Sequence, residues 1–198
     1  LQGRKEMNVG QQFVELREGD VLLVSHDLPV ASKITQASTE CPYQALIFSL
    51  DLSILRGLYE QVGESVSHKN HATSLSASKA DPAWTEPMVR YLELMNTPID
   101  ARVLGPMILK EIHYRLLLSP IGGMLRNLLS VDSHASRIAK SIQQIRAKFR
   151  EPLVVGALAQ VAGMSQSSFH EHFKNVTGTT PLQYQKDLRM IEARTLLE

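Results

Sequence analysis

The stretch 166–175, QSSFHEHFKN, carries a dense set of hydrogen-bonding side chains. At 100° per residue, Phe169, Phe173 and Val176 fall on one narrow side of a helix. The other side is polar and holds donors and acceptors: Ser167, Ser168, His170, Glu171, Lys174 and Asn175. A helix that is anchored by a narrow apolar stripe and turns a wide polar face outward suits insertion into a groove of DNA.

The histidines are the other side chains that could do chemistry, as metal ligands. His170 and His172 are two residues apart, so on a helix they point about 200° from each other and cannot share one ion. His68 and His71 lie in a serine-rich stretch with no third ligand nearby, which favours solvated loop histidines. Around His26 there is no H-x-H pair with a downstream Glu and His, the metal pattern of cupin enzymes. We therefore expect no metal, no cofactor and no catalytic residues.

Composition describes an ordinary globular chain of 198 residues, with 43% apolar and 21% charged residues. No run approaches the ~18 apolar residues of a membrane helix, and the N-terminus has no signal-peptide core. The single Cys41 excludes an internal disulfide, and we expect a cytoplasmic location. Residues 137–198 carry nine Lys/Arg against five Asp/Glu, a net charge of +4. That part is the candidate for a polyanionic partner, although an imbalance of this size also arises by chance.

Residues 1–50 are predicted to form strands. A turn at Gly19–Asp20 precedes an apolar run at 21–24, and 43–51 is a second candidate for a buried strand. Asp51 can cap a helix that continues to about residue 62. Residues 63–81 contain five serines and few apolar side chains, so we expect a surface loop or linker.

From Pro82 onward the apolar spacing predicts helices only. The first covers about 84–96, and its Met88, Leu92 and Met95 are interpreted as core residues, with an exposed dimer face as the second choice. The next covers about 100–118, where Pro106 either kinks the helix or marks its start. A short helix reaches about residue 129. A further helix at about 135–149 buries Ile138, Ile142, Ile145 and Phe149.

The residues before the polar stretch predict a helix-turn-helix. Ala159 allows close approach of two helices, Gly163 supplies the positive φ of a tight turn, and Met164 turns inward. Ser165 can cap the next helix and leave its amides free for a phosphate. The first helix of the motif begins at Val154, which cannot act as a side-chain cap, and Gly156 weakens it further.

The stretch 158–197 closely resembles the DNA-binding domain of the AraC/XylS family of bacterial transcription regulators. Thr180, Pro181 and Gln183 form a capping-box sequence with proline at the first helical position. The family's motifs are F-K-x-x-x-G, P-x-x-Y, L-R and A-R-x-L-L. They match Phe173-Lys174 with Gly178, Pro181 with Tyr184, Leu188-Arg189, and Ala193-Arg194 with Leu196-Leu197.

The resemblance implies which side chains meet DNA. Gln166, Ser167, His170 and Glu171 would face the major groove, and Ser165 and Lys174 would contact the backbone. Glu171 could accept a hydrogen bond from cytosine N4, or it could only repel phosphate. Lys174 and Arg189 could also be solvated charges, although the resemblance favours a phosphate contact for Lys174.

The N-terminal part resembles the regulatory half of one subgroup of the family, in which a cupin-like β-barrel carries a helical appendage. We therefore expect an α+β chain with a regulatory region at 1–133, made of a partial cupin-like β segment at 1–50 and a helical module at 51–133. Residues 134–198 would form the DNA-binding subdomain, with the first helix-turn-helix and the start of a linker helix. By resemblance the chain lacks the beginning of the barrel and a second helix-turn-helix.

The expected function is sequence-specific DNA binding by a transcription regulator under the control of an effector or of dimerisation. The expected partners are double-stranded DNA, a small-molecule effector, a second copy of the chain, and RNA polymerase if the protein is an activator, with no membrane. The alternative is a small-molecule-binding or enzymatic cupin whose helical tail is only structural. Salt-dependent DNA binding, which only the first function requires, separates the two.

Overall fold

The computed structural model describes residues 2–9, 12–62, 74–130 and 133–197. The strands are β1 (Arg4–Val9), β2 (Gln12–Leu16), β3 (Asp20–Val24), β4 (Ala31–Gln36) and β5 (Leu75–Lys79). The α-helices are α1 (Leu52–Val62), α2 (Pro82–Glu93), α3 (Pro98–Leu118), α4 (Gly123–Leu129), α5 (His134–Ala147), α6 (Val155–Val161), α7 (Gln166–Thr177) and α8 (Pro181–Thr195). Short 3-10 turns at Leu94–Asn96 and Pro120–Gly122 complete the helical part. The expected α+β class is confirmed.

Two small antiparallel sheets form the β part. One has the order β2-β1-β4, and the other pairs β3 with β5 in a register that sets Asp20 against Lys79 and Val24 against Leu75. The predicted turn precedes β3, because Gly19 has φ +76°, a value that L-residues rarely adopt. Asp20 holds this turn by accepting from the amide of Arg17 at 2.8 Å and by pairing with Lys79 at 2.6 Å.

The sequence prediction is wrong for two strands. Residues 43–51 form no strand, and within them only Gln44 makes an isolated bridge, to Gln2. Ile47 is 89% exposed, so an apolar run did not mean burial here. Conversely, β5 lies inside the predicted loop at 63–81. Its hydrogen bonds come from the ladder with β3, and its own sequence, LSASK, has low strand propensity. Residues 63–73, with His68 and His71, lie outside the described residues.

The helices at 52–129 agree closely with the predicted ones. Asp51 caps α1 by accepting from the amides of Ser53 and Ile54 at 2.8 and 3.2 Å. Helix α3 begins at Pro98, so Pro106 lies inside it and does not mark its start. Within α3, Glu111 pairs with Arg115 one turn later, and Arg90 of α2 also pairs with Glu111 at 2.7 Å.

The interpretation of Met88, Leu92 and Met95 as core residues is wrong for two of the three. Met88 packs against the core at Trp84 and Ile112. Leu92 and Met95 are exposed, and Met95 has 80% of its surface in solvent. The helix ends at Glu93 and passes into a 3-10 turn, so the 3.6-residue spacing does not continue to Met95.

Helices α5–α8 enclose their own core. Phe169 and Phe173 are fully buried, with ring centroids 5.5 Å apart, and Tyr184 meets Phe173 edge-on at 5.7 Å. The predicted stripe of α5 is buried for Ile138, Ile142 and Ile145, while Phe149 is half-buried in the turn after the helix. The other buried members are Leu158, Ala159, Ala162 and Val176. Among the described residues, no helix is long and apolar enough to span a membrane.

We expect Phe173→Ala to lower the free energy of unfolding by about 3–5 kcal/mol, because it opens a cavity beneath α7. Phe13→Ala is the control, since Phe13 is 60% exposed on β2 and its truncation should cost within ~0.5 kcal/mol. Urea unfolding followed by circular dichroism measures both. Equal losses for the two variants would contradict the assignment of Phe173 to the core.

Candidate nucleic-acid interface

The turn between α6 and α7 is closed by a Schellman motif. The amide of Met164 donates to the carbonyl of Ala159 and the amide of Gly163 to that of Gln160, both at 2.9 Å. Gly163 has φ +61°, and a Cβ there would meet nothing within 4 Å. The backbone angle therefore favours glycine at this turn, whereas the surrounding space would admit a larger side chain. Met164 packs inward, as the sequence predicts.

Both ends of α7 are fixed by local hydrogen bonds. Ser165 caps the start, since its hydroxyl accepts from the amide of Ser168 at 3.3 Å. At the other end Gly178 has φ +74° and its amide donates to the carbonyl of Lys174 at 2.8 Å. The buried hydroxyl of Thr177 donates to the carbonyl of Phe173 at 2.7 Å. These ends set the length of α7 and the angle at which it faces solvent.

The structure places all six predicted contact residues on exposed positions of one segment. They are Ser165, Gln166, Ser167, His170, Glu171 and Lys174. Because Phe169, Phe173 and Val176 occupy the buried side of α7, these six residues lie on its exposed side. Four hydrogen-bonding side chains at 166, 167, 170 and 171 span two turns of helix, with a cation at 174 beside them.

Gln166 lies over the first turn of α6. Its Nε2 is 2.8 Å from the position that a Cβ on Gly156 would occupy. A side chain at 156 would therefore meet only the flexible amide end of Gln166, which can move aside.

A stack of two imidazole rings joins α5 to α7, and no pattern in the sequence indicates it. His134, at the first position of α5, lies parallel to His172, with centroids 3.7 Å apart and an angle of 14° between the rings. Burial lowers the pKa of His134, and His172 and Arg137 lower it further. The flat contact therefore persists most easily with His134 neutral. His170 points away from this stack, as the predicted 200° separation requires.

Helix α8 clamps the turn between α5 and α6. The side chain of Gln185 donates to the carbonyls of Phe149 and Glu151 at 2.9 and 2.7 Å. Arg189 donates to the same two carbonyls at 2.7 and 2.9 Å, although the residue is exposed. The capping box at the start of α8 is half formed. Thr180 accepts from the amide of Gln183 at 3.3 Å, but the side chain of Gln183 turns to Asp187 at 2.7 Å.

The start of α6 lacks a side-chain cap, as predicted. Val154 has the extended backbone of a capping residue, φ −107° and ψ 99°, and its carbonyl accepts from the amide of Ala157 at 3.1 Å, but its side chain offers no acceptor to the first amides of the helix. The residue is 65% exposed. Further along α6, the buried hydroxyl of Ser141 donates to the carbonyl of Leu158 at 3.1 Å.

The part of the chain that the structure describes holds no group of three or more His, Cys, Asp or Glu that could bind a metal ion. His26 is buried, with its two ring nitrogens near Ser74 and Ala135.

Comparison with known proteins gives two matches. A family model described as the AraC-type transcriptional regulator N-terminus matches residues 1–124, and a helix-turn-helix domain model matches residues 158–198. Neither a curated protein nor a solved structure matches the chain.

We expect Val154→Ser to stabilise the protein by roughly 0.5–2 kcal/mol, because its hydroxyl can accept from the free amides of α6. Thr180→Ala, which removes the existing cap of α8, should lower the stability by a similar amount. The measurement is the midpoint of urea unfolding at an unchanged m-value. If Val154→Ser left the midpoint where it is, the open end of α6 would be satisfied in some other way.

Proposed function

The chain belongs to the family of AraC-type transcriptional regulators and is a DNA-binding transcription regulator, and we propose that α7 is the helix that reads its operator. Both family matches are to parts of regulators, and neither favours the enzymatic cupin considered from the sequence. The observation that carries the proposal is the single exposed face of α7, on which six polar side chains follow a capped helix start.

Four of these side chains are assigned to base edges. Gln166, Ser167, His170 and Glu171 occupy the first two turns of α7, the part of a recognition helix that enters the major groove. His170 can donate or accept at a purine edge, and Glu171 can accept from cytosine N4. A carboxylate on this face also repels phosphate, so Glu171 contributes to selection against a wrong register as well.

Two residues are assigned to the DNA backbone. Ser165 lies at the helix start, where free amides and the positive end of the helix dipole favour a phosphate. Lys174 lies two turns further along, exposed on the same side of α7. Phosphate contacts at both ends would orient the helix, while the residues between them supply sequence preference.

We place the boundary between the regulatory and the DNA-binding part at 133/134. Helix α5 begins at His134 and buries Ile138, Ile142 and Ile145 in the same core as Phe169 and Phe173. This packing supports including α5 in the DNA-binding part. The regulatory part receives the controlling signal, an effector or a dimer contact, and RNA polymerase becomes a partner if the regulator activates transcription. Binding to DNA implies action in the cytoplasm.

The regulatory part also has a surface that suits a second copy of the chain. Helix α3 is apolar on two sides: Ile112 and Leu116 are buried, while Ile99, Val103 and Met107 lie exposed on the opposite side. A second apolar stripe on a helix offers a surface that a partner can cover. Ile99, Val103 and Met107 are uncharged, with Lys110 at the end of their stripe, so the stripe can pair with its own copy across a two-fold axis. If the two-fold axis passes α3 at Gly105, the two copies of the helix run antiparallel, and Val103 of one copy lies beside Met107 of the other.

Replacing His170 by Ala should change the preferred base at one operator position, at a cost of roughly 1–3 kcal/mol. Lys174→Ala is the contrasting variant and should weaken binding to all sequences alike, lowering the salt slope by about 1. Titrations of the selected operator and of its single-base variants at several salt concentrations measure both. The assignment of the reading face fails if His170→Ala keeps both the preferred sequence and its affinity.

Replacing Val103 by Glu should convert a dimer of this chain into a monomer, because it places a charge at the centre of the apolar stripe. Val154→Glu is the matched control, since the two valines are 61% and 65% exposed. Sedimentation equilibrium of the three proteins gives their masses. A natural chain that remains monomeric at high concentration, or a Val103→Glu variant that remains dimeric, contradicts this interface.

A further inference from the structure

The end of α7 receives a hydrogen bond from the regulatory part. Ser74, one residue before β5, is almost fully buried, and its backbone amide donates to the carbonyl of Val176 at 3.2 Å. Val176 lies in the last turn of α7, where carbonyl groups have no partner within the helix. The β3–β5 pair continues into this contact, because the amide of Ser25 donates to the carbonyl of Ser74 at 3.0 Å.

A buried histidine connects the same place to α5. The Nε2 atom of His26 lies 3.3 Å from the carbonyl oxygen of Ala135, in the first turn of α5. A carbonyl only accepts, so this contact assigns the ring proton to Nε2. The Nδ1 atom is then an acceptor, 3.0 Å from the hydroxyl of Ser74. Burial lowers the pKa of His26, which favours this neutral form.

A third contact reaches α8. The hydroxyl of the buried Tyr184 donates to the backbone carbonyl of Asp27. The carboxylate of Asp27 pairs with Arg146 of α5 at 3.3 Å, and the neighbouring Leu28 packs against the core of the DNA-binding part. We call the contact of residues 25–28 and Ser74 with α5, α7 and α8 the joint.

We propose that the joint positions α7 for DNA recognition, with His26 and Ser74 as positioning residues that transmit the state of the regulatory part to the operator. The proposal rests on α7 being the reading helix. The joint lies at the C-terminal end of α7, whereas the six proposed contact residues remain exposed. It therefore acts on the orientation of the helix and leaves its reading face uncovered.

Because the joint is polar, its contacts are either formed or broken, and it has two distinct states. Each of its buried groups has a single partner in the other part of the chain, and a buried group that loses its partner carries the full cost of desolvation. A shift of β3 and β5 that breaks the Ser74 contact also disturbs His26, since the two side chains share a hydrogen bond. The contacts with α5 and α7 are consequently made or lost together.

The test compares three single variants at one position of the joint and at one control position. His26→Leu fills a similar volume but removes the partner of the buried Ser74 hydroxyl and the contact with the Ala135 carbonyl, so the dissociation constant for the operator should rise by roughly 5-fold or more. His26→Gln can donate and accept as the imidazole does, so its affinity should stay close to that of the natural chain. The control is His113→Leu.

His113 is a matched control because it is also a fully buried histidine with two hydrogen bonds. Its Nε2 accepts from the amide of Asp51 at 2.8 Å and its Nδ1 lies 2.7 Å from the carbonyl of Leu109, both within the regulatory part. His113→Leu should lower the melting temperature without changing the operator affinity. All titrations use the full chain, at one salt concentration and well below the lowest melting temperature, with an unrelated duplex for comparison.

The outcomes distinguish an effect of the joint on operator binding from a general loss of folding stability. The joint is overturned if His26→Leu binds the operator as the natural chain does, or if His113→Leu weakens binding equally. Tyr184→Phe serves if His26→Leu does not fold, because it removes one hydroxyl and keeps the ring against Phe173, and it should weaken operator binding by roughly 2- to 10-fold. If the natural chain itself shows no preference for any operator, the proposed function fails, and the joint fails with it.

Discussion

The burial of Phe169 and Phe173 is the constraint on which the arrangement of α7 depends. Two aromatic rings four residues apart can lie in one core only if the helix presents a single narrow side to it. That requirement determines the direction of every other side chain of α7. The polar residues need no individual support, because the rotation of the helix is already set by the two rings and by Tyr184 behind them.

The position of α7 along its axis is set by its two ends. Positive φ angles at Gly163 and Gly178 stop the helices on either side, and the caps at Ser165 and Thr180 start the next ones. All four devices are local, since each acts through hydrogen bonds within a few residues. The geometry of the helix-turn-helix therefore depends almost entirely on residues that are close together in the sequence.

This locality explains what could be predicted from the sequence. The stripe of α7, the turn at Gly163, the cap at Ser165 and the outward direction of Ser167, His170, Glu171 and Lys174 follow from spacing, whereas Gln166 was placed by the family resemblance. The strand at Leu75–Lys79 was missed because its evidence lies in β3, some fifty residues away, and not in its own side chains. The stack of His134 on His172 and the placing of Gln166 over Gly156 escaped for the same reason. Such contacts depend on how the helices cross, which periodicity does not specify.

The contacts within α5–α8 and the contacts that connect these helices to the β segment have different physical roles. The core of α5–α8 is apolar and is built from these helices and the turns between them, with Leu28 packed at its edge, so this unit keeps its shape. Its connection to the β segment is mostly polar and passes through His26, Ser74 and Tyr184. Apolar contacts tolerate small displacements, whereas a hydrogen bond weakens steeply with distance and angle. A polar joint on a rigid apolar unit therefore changes the position of the unit without changing its fold, which is what control of a preformed reading helix requires.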